Sequence, residues 1–264
     1  MPKARFSDEY DTLTDYILGI THRIWEGKGV GLIRRYYGRD CWMLTPSGVV
    51  TGVEAVVSGT LETLHMFPDR ALLGEDVVHA DHGPGRGVLS SHRILTTGHH
   101  RGAGMFGPAT GKPIRLRAIA DCLVVGDVIT EEWLVRDTAA IALQVGLDPG
   151  EMGRRLAAAD AAAGKTPWHL GQWEAVRRGE REASAVIQAH PAAALSRGLI
   201  EGMINDTDLG LVRRVHDRAS ILEGTLHRSF AGTDEIERFW LGYLAALPDA
   251  RVVVDHSIAL AERG

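Results

Sequence analysis

The stretch Arg115–Asp137, RLRAIADCLVVGDVITEEWLVRD, reads as two strands meeting at Gly126-Asp127. Apolar and β-branched residues run up to that turn and resume after it, the pattern of a hairpin. Acids interrupt the pattern: Asp121 lies between AIA and CLVV, and Glu131 and Glu132 precede Trp133. Such a carboxylate either faces solvent on an amphipathic hairpin or faces a pocket, where poor solvation raises its pKa. With a two-residue turn, Val125 opposes Val128, Asp121 opposes Glu132 and Arg117 opposes Arg136. One face then carries Arg117, Ile119, Asp121, Glu132, Leu134 and Arg136; the other carries Ala118, Ala120, Cys122, Glu131, Trp133 and Val135. A bulge at the turn brings Asp121 opposite Glu131 instead. Both registers stay open at this level.

Outward from the hairpin, Ala71 to Asp137 keeps a strand-like pattern, broken by Gly/Pro-rich turns at HGPGRG and GAGMFGPATGKP. Before it, Tyr10, Leu13, Tyr16, Ile17, Ile20 and Ile24 recur at helical spacing, with Ser7 or Asp8 as caps and Gly27 and Gly29 closing the helix. A short helix at VGLIRRYYG, a small hairpin at CWMLTPSGVVTG and a helix at VEAVVSGTLETLHMF follow. A last helix, TAAIALQVGL, starts at Asp137 or Thr138, with Asp137 suited to the N-cap. Helices first, then a meandering sheet, then a helix is an α+β layout.

The bulk properties bound the function. The length of 264 residues suits one large or two modest domains. A formal net charge of −5 with scattered Lys and Arg argues against nucleic acid. Cys41 and Cys122 match neither a disulfide framework nor a zinc spacing. No apolar run reaches the roughly 20 residues of a membrane span, and MPKARFSDEYD lacks a secretory core. A cytoplasmic protein without membrane contact is the expectation.

A repeat reshapes the reading. GLIRRYYGRDCW at Gly31–Trp42 aligns with GLVRRVHDRASI at Gly210–Ile221, identical at five of twelve positions. One inserted residue later TGVEAV aligns with AGTDEI, and LHMFPDRAL at Leu64–Leu72 aligns with LAALPDARV at Leu244–Val252. Domains at 1–149 and 192–264 follow, the second incomplete, with an Ala-rich and charged helical connector at 150–191. Trp168 and Trp173 suggest that the connector packs on something. The second module reaches about one strand, ARVVVDHSIALAE. The expectation is either that this sequence ends before the module does or that the partial module leans on the first module or another chain, which would cover its sheet edge.

The ordered set of the helical start, MFPD at Met66–Asp69, GHHRGAGMFGPATGKPIRLR at Gly98–Arg117, VVGDVITEEWLVRD at Val124–Asp137 and LQVGLDP at Leu143–Pro149 resembles the SnoaL-like polyketide cyclases of the nuclear transport factor 2-like superfamily. The resemblance covers about residues 8–149, with a partial copy from about 192. It implies a cone: a strongly curved antiparallel sheet around helices, enclosing an apolar pocket. It also implies a cofactor-independent cyclase, isomerase or hydrolase acting on a hydrophobic small molecule, and a homodimer or an internal pseudo-dimer. The acid-base residue of the better-known cyclases falls just before the tryptophan, on Glu131 or Glu132. Members often carry an acid where this chain has Ala120, one position before Asp121. His100 matches a position before the Gly-rich loop and could donate to a substrate carbonyl.

An aldol cyclisation needs a base for the proton alpha to a carbonyl and a donor for the oxyanion. Asp121, Glu131, Glu132 and His100 are therefore the catalytic candidates. Tyr16, Trp42, Phe67, Arg117 and Trp133 are the candidates for binding substrate, though each aromatic serves an ordinary core equally well. His79, His82, His92, His99 and His100 all fall on the strands or their turns, but adjacent strand residues point to opposite faces, so His99 and His100 do not share a metal. GPATGKP lacks the spacing and the Ser/Thr of a phosphate loop. Arg34-Arg35, repeated as Arg213-Arg214, suit helix-surface ion pairs. The alternative to an enzyme is a binding or scaffolding protein that keeps the cone without chemistry.

Overall fold

The computed structural model describes residues 6–83, 85–165, 170, 186–187, 190–254 and 256–259. They form two compact units divided after Thr166. Trp168 and Trp173 lie outside the described residues. Among the described residues no helix is long and apolar enough to cross a membrane.

The first unit begins with α1 (Leu13–Trp25), a single 3-10 turn at Val30–Leu32 and α2 (Ile33–Tyr36). The cap of α1 is Thr12 rather than Ser7 or Asp8: its Oγ1 accepts the Asp15 amide at 3.0 Å and donates to the Asp15 carboxylate at 2.7 Å. Ser7 instead holds its own turn, accepting the Tyr10 amide at 3.1 Å. Strands β1 (Tyr37–Thr45) and β2 (Gly48–Thr51) form the first hairpin, and α3 (Val53–Met66) follows. Then come β3 (Ala71–Asp81), β4 (Val88–His99), β5 (Pro113–Val125) and β6 (Val128–Arg136). Helices α4 (Thr138–Val145) and α5 (Pro149–Ala162) close the unit. Asp137 caps α4 by accepting the Ala140 amide at 3.0 Å. Met152 of α5 is buried with Phe67, Phe106 and Ile141, so this helix packs into the first unit's core.

The six strands form one sheet in the order β2-β1-β6-β5-β4-β3. An antiparallel sheet is the expectation, and four of its five strand pairs are antiparallel, but β1 and β6 run parallel. The reason is topological: β1 does not hairpin onto β6 but meets it after the chain has crossed through α3 and the β3–β5 meander. Register shifts interrupt β1–β6 at Tyr37/Trp42, β3–β4 at Gly74/Asp76 and β5–β6 at Leu123/Val124, and such bulges add local twist. Helix α1 packs against β3 and α3 against β1, burying Ile17, Ile20, Ile24, Val56 and Val57 with Cys41, Cys122 and Ile129 of the sheet.

The turn at Gly126-Asp127 pairs Val125 with Val128 and Val124 with Ile129, as a two-residue turn requires. The shift that follows leaves Thr130 without a partner and pairs Leu123 with Glu131, Cys122 with Glu132 and Asp121 with Trp133. Neither register expected for the acids is the one formed. The extra residue sits one pair inside the strand, and it moves every later β6 side chain to the opposite face.

In the second unit, β7 (Val186–Ile187) pairs in parallel with β10 (His256–Ser257). Between them lie α6 (Pro191–Asn205), α7 (Gly210–Val215), the hairpin β8 (Ile221–Glu223) and β9 (Ser229–Ala231), and α8 (Gly232–Ala246). The stretch expected as one longer strand after Ala250 is a two-residue pairing. Helix, short helix, hairpin, helix is also the order of the first unit from α1 to α3. Aligned residues make the same contacts: Gly52, at φ +85°, donates to the Cys41 carbonyl at 2.7 Å, and Gly232, at φ +74°, donates to the Ser220 carbonyl at 2.8 Å. Arg34 forks onto Glu54 of α3; Arg213 lies 3.2 Å from Asp234, the residue aligned with Glu54, and forks onto Glu237, three residues further along α8. Phe67 donates to Thr63 at 2.9 Å and Leu247 to Tyr243 at 3.0 Å as the two long helices end.

Candidate active site

Between α1, α3 and the helix-covered face of the sheet lies a cavity of about 260 Å³, contained within the first unit. Its wall is mainly apolar, from Ile17, Ile20, Ile24 and Trp25 of α1, Val56 of α3, and Ile94, Ala118, Ala120 and Leu134 of the sheet. Alternation along β4 turns His92 inward with Ile94, and alternation along β6 turns Glu132, Leu134 and Arg136 inward. Tyr37 opens β1, and Arg70 precedes β3 just past the Pro68-Asp69 turn. Tyr37, Arg70, His92, Glu132 and Arg136 therefore converge, with the hydroxyls of Thr21, Thr45, Ser47, Thr60 and Thr63, on a mainly apolar space.

Glu132 is 5% exposed. Burial pushes its carboxyl up to about 7, against smaller opposing effects of Tyr37 and the Arg136 charge. The Tyr37 hydroxyl donates to Glu132 Oε2 at 2.8 Å. Burial and the facing carboxylate hold that phenol well above its ordinary range, so it stays a donor. Burial lowers the Arg136 guanidinium, while the Glu132 charge opposes the shift. Arg70, 7% exposed, lies over the Trp25 ring with its guanidinium carbon 4.7 Å from the centroid. Burial, then the nearby Arg136 charge, lower it to about 9, and Glu26 opposes that fall. His92 is 2% exposed and held neutral by burial, its pKa near 4. A carboxyl that titrates near neutrality, beside a positive charge and inside apolar walls, can take a proton from a carbon acid and return it.

Of the nine residues singled out in the sequence, Glu132 lines the cavity. Asp121, Glu131, Trp133 and Arg117 belong to the opposite face of the sheet. There Trp133 meets Trp42 edge-on at 5.1 Å, and Arg117 forks onto Glu75 at 2.9 and 3.0 Å. Tyr16 is buried in the main core and donates to the Asp127 carbonyl at 2.8 Å, which ties α1 to the hairpin turn. His100 is fully buried in a separate cluster with Phe67 and Phe106, its Nδ1 3.2 Å from Thr110 Oγ1, and burial lowers its pKa. His99 instead pairs with Asp69 at 2.6 Å. The site thus gathers Glu132 with four residues that the sequence did not single out as catalytic or substrate-binding: Tyr37, Arg70, His92 and Arg136. The i, i+2, i+4 spacing of Glu132, Leu134 and Arg136 carries the signal for Arg136, and alternation along Ser90, His92, Ile94 and Thr96 carries the one for His92. Nothing periodic marks Tyr37 or Arg70.

No protein-family model and no curated protein matches the chain. Solved structures do. IdmH from Streptomyces antibioticus is 22% identical over 51% of this chain and 98% of that one, with a TM-score of 0.43. A SnoaL-like polyketide cyclase from Agrobacterium tumefaciens is 17% identical over 51% of this chain and 98% of that one, at 0.43. A protein of ketosteroid isomerase-like fold from Catenulispora acidiphila, solved with trimethylamine, is 16% identical over 52% and 95%, at 0.42.

Proposed function

We propose that the first unit is a cofactor-independent enzyme of the cyclase, isomerase or hydrolase type, acting on a hydrophobic small molecule with Glu132 as general acid and base. One observation carries this reading: the acid facing the cavity is buried and meets the Tyr37 phenol, and that burial pushes its carboxyl up to about 7. In its ionised form Glu132 takes the proton alpha to a substrate carbonyl, and the electron pair moves onto the carbonyl oxygen as an enolate. The Arg136 charge stabilises that enolate. The enolate carbon then attacks a second carbonyl of the same molecule, closing a ring as that carbonyl's electron pair moves to its oxygen and the resulting alkoxide takes the proton from Glu132, or the enolate accepts that proton back at another position. Apolar walls exclude competing water.

A ligand-binding protein without chemistry is the second reading. It is favoured by Ala120, which faces the cavity as a methyl group at the position where SnoaL-like proteins often carry an acid. One experiment separates the two. Methyl octyl ketone is incubated with the chain in deuterium oxide, and α-deuteration is followed by NMR. Exchange well above the buffer rate, falling roughly 10²–10⁴-fold in Glu132→Gln with unchanged circular dichroism, supports the enzyme. Exchange no faster than buffer, or indifferent to that substitution, sinks it.

We further infer that residues 192–264 are the front part of a second copy of the same module. The support is the repeated element order, the two positive-φ glycines with their matching carbonyl contacts, and the two Arg-to-helix forks.

A further inference from the structure

We propose that the cavity takes an anion: an apolar molecule ending in a carboxylate, held between Arg70 and Arg136. This rests on the cavity being the functional site and adds the class of ligand. Two guanidinium groups line one apolar cavity, and the Arg136 charge helps to lower Arg70. Among the described residues neither forms an ion pair, and Arg70 Nε is buried without a hydrogen-bond partner. A buried donor left unmade is costly, and a guanidinium is built for a planar oxyanion gripped at two points.

The carboxylates nearby do not answer that demand. Glu26 influences Arg70 but forms no ion pair with it: its Oε1 accepts the Leu72 amide at 2.5 Å, and its Oε2 is buried without a hydrogen-bond partner, 3.7 Å from His22 Nδ1. Glu132 is engaged by Tyr37. His92 contributes no charge near neutrality and no competing anion. A ligand carboxylate would complete Arg70 and Arg136, while its alkyl part lies on Ile20, Ile24 and Ile94.

The test is binding of decanoate against decanol, by calorimetry and by the fluorescence of Trp25 in the cavity wall. Decanoate should bind the wild type roughly tenfold tighter or better, since hydrogen bonds to a charged group carry that preference. Arg70→Gln and Arg136→Gln should each lose most of that preference while still binding decanol. Equal binding of acid and alcohol, binding of neither, or variants that keep the preference would each overturn the proposal. Decyl phosphate should bind no better than decanoate, and tighter phosphate binding would overturn the carboxylate assignment. The wild-type comparison stands even where a variant fails to fold. Loss of deuterium exchange with intact decanoate preference would refute the proposed catalysis and leave this inference standing, and the reverse result would do the opposite.

Discussion

The Tyr37 hydroxyl meets Glu132 Oε2 at 2.8 Å across the only parallel strand pair of the described sheet. This bond opposes the effect of burial and favours the ionised carboxylate. Tyr37→Phe should therefore raise the Glu132 pKa above its present value near 7. The expected result is a pH–rate profile of deuterium exchange whose acidic limb moves to higher pH. An unmoved limb with a reduced rate throughout would show that Tyr37 only shapes the cavity.

The two faces of the hairpin predict opposite outcomes for its acids. Glu132→Gln should abolish exchange, whereas Asp121→Asn and Glu131→Gln, on the face away from the cavity, should keep it. Loss of exchange in well-folded Asp121→Asn would contradict the register described for β5 and β6.

Stability should show two opposed proton linkages. Glu132 rises from 4.5 to about 7 on folding, so between those values the native chain holds more protons there than the unfolded chain. Its contribution thus falls as pH rises through that window. His92 drops from 6.5 to about 4, so the native chain holds fewer protons there and its contribution rises with pH. Each amounts to about 3 kcal/mol and they largely cancel. Urea denaturation at a series of pH values should expose them separately: His92→Asn losing stability from about pH 4.5 to 7, Glu132→Gln gaining it. Parallel slopes in wild type and both variants would count against the two burials.

Filling the cavity should separate binding from folding. Ala120 lines it and is 8% exposed, so Ala120→Leu adds volume where space exists. Stability should change by no more than about 3 kcal/mol, while both decanoate binding and exchange are lost. Retained binding would place the ligand elsewhere.

Two glycines of the sheet should respond differently. Gly87 has φ +91°, and a Cβ there would lie 2.3 Å from the Val124 carbonyl oxygen, so Gly87→Ala should cost about 2 kcal/mol or more. Gly126 has φ +68° with open space around a Cβ, and Gly126→Asn should cost less than about 1 kcal/mol. Thermal and urea unfolding of the pair measure the difference.

Local chemistry made much of this protein legible in its sequence. Period-3.6 and period-2 hydrophobic spacing marked α1, α3 and the long strands, and turn residues marked the Gly126-Asp127 hairpin, because both are set by backbone geometry over a few residues. The repeated GLxRR element and its glycine mark two stretches that each run short helix, hairpin, long helix. The site was less legible. An alternating strand says that Asp121 and Glu132 each have a face, but a bulge of one residue at Thr130 decides which face, and such a bulge is set by what the sheet must pack against. The same holds for Arg70, His92 and Tyr37, which come from three separate strands or their approaches and meet only when the sheet folds over α1 and α3. Sequence determined the elements and the presence of acids within apolar strands. Tertiary structure alone decided that one of those acids, with two arginines, faces the cavity, because burial and strand register are properties of the packed sheet and not of any single segment.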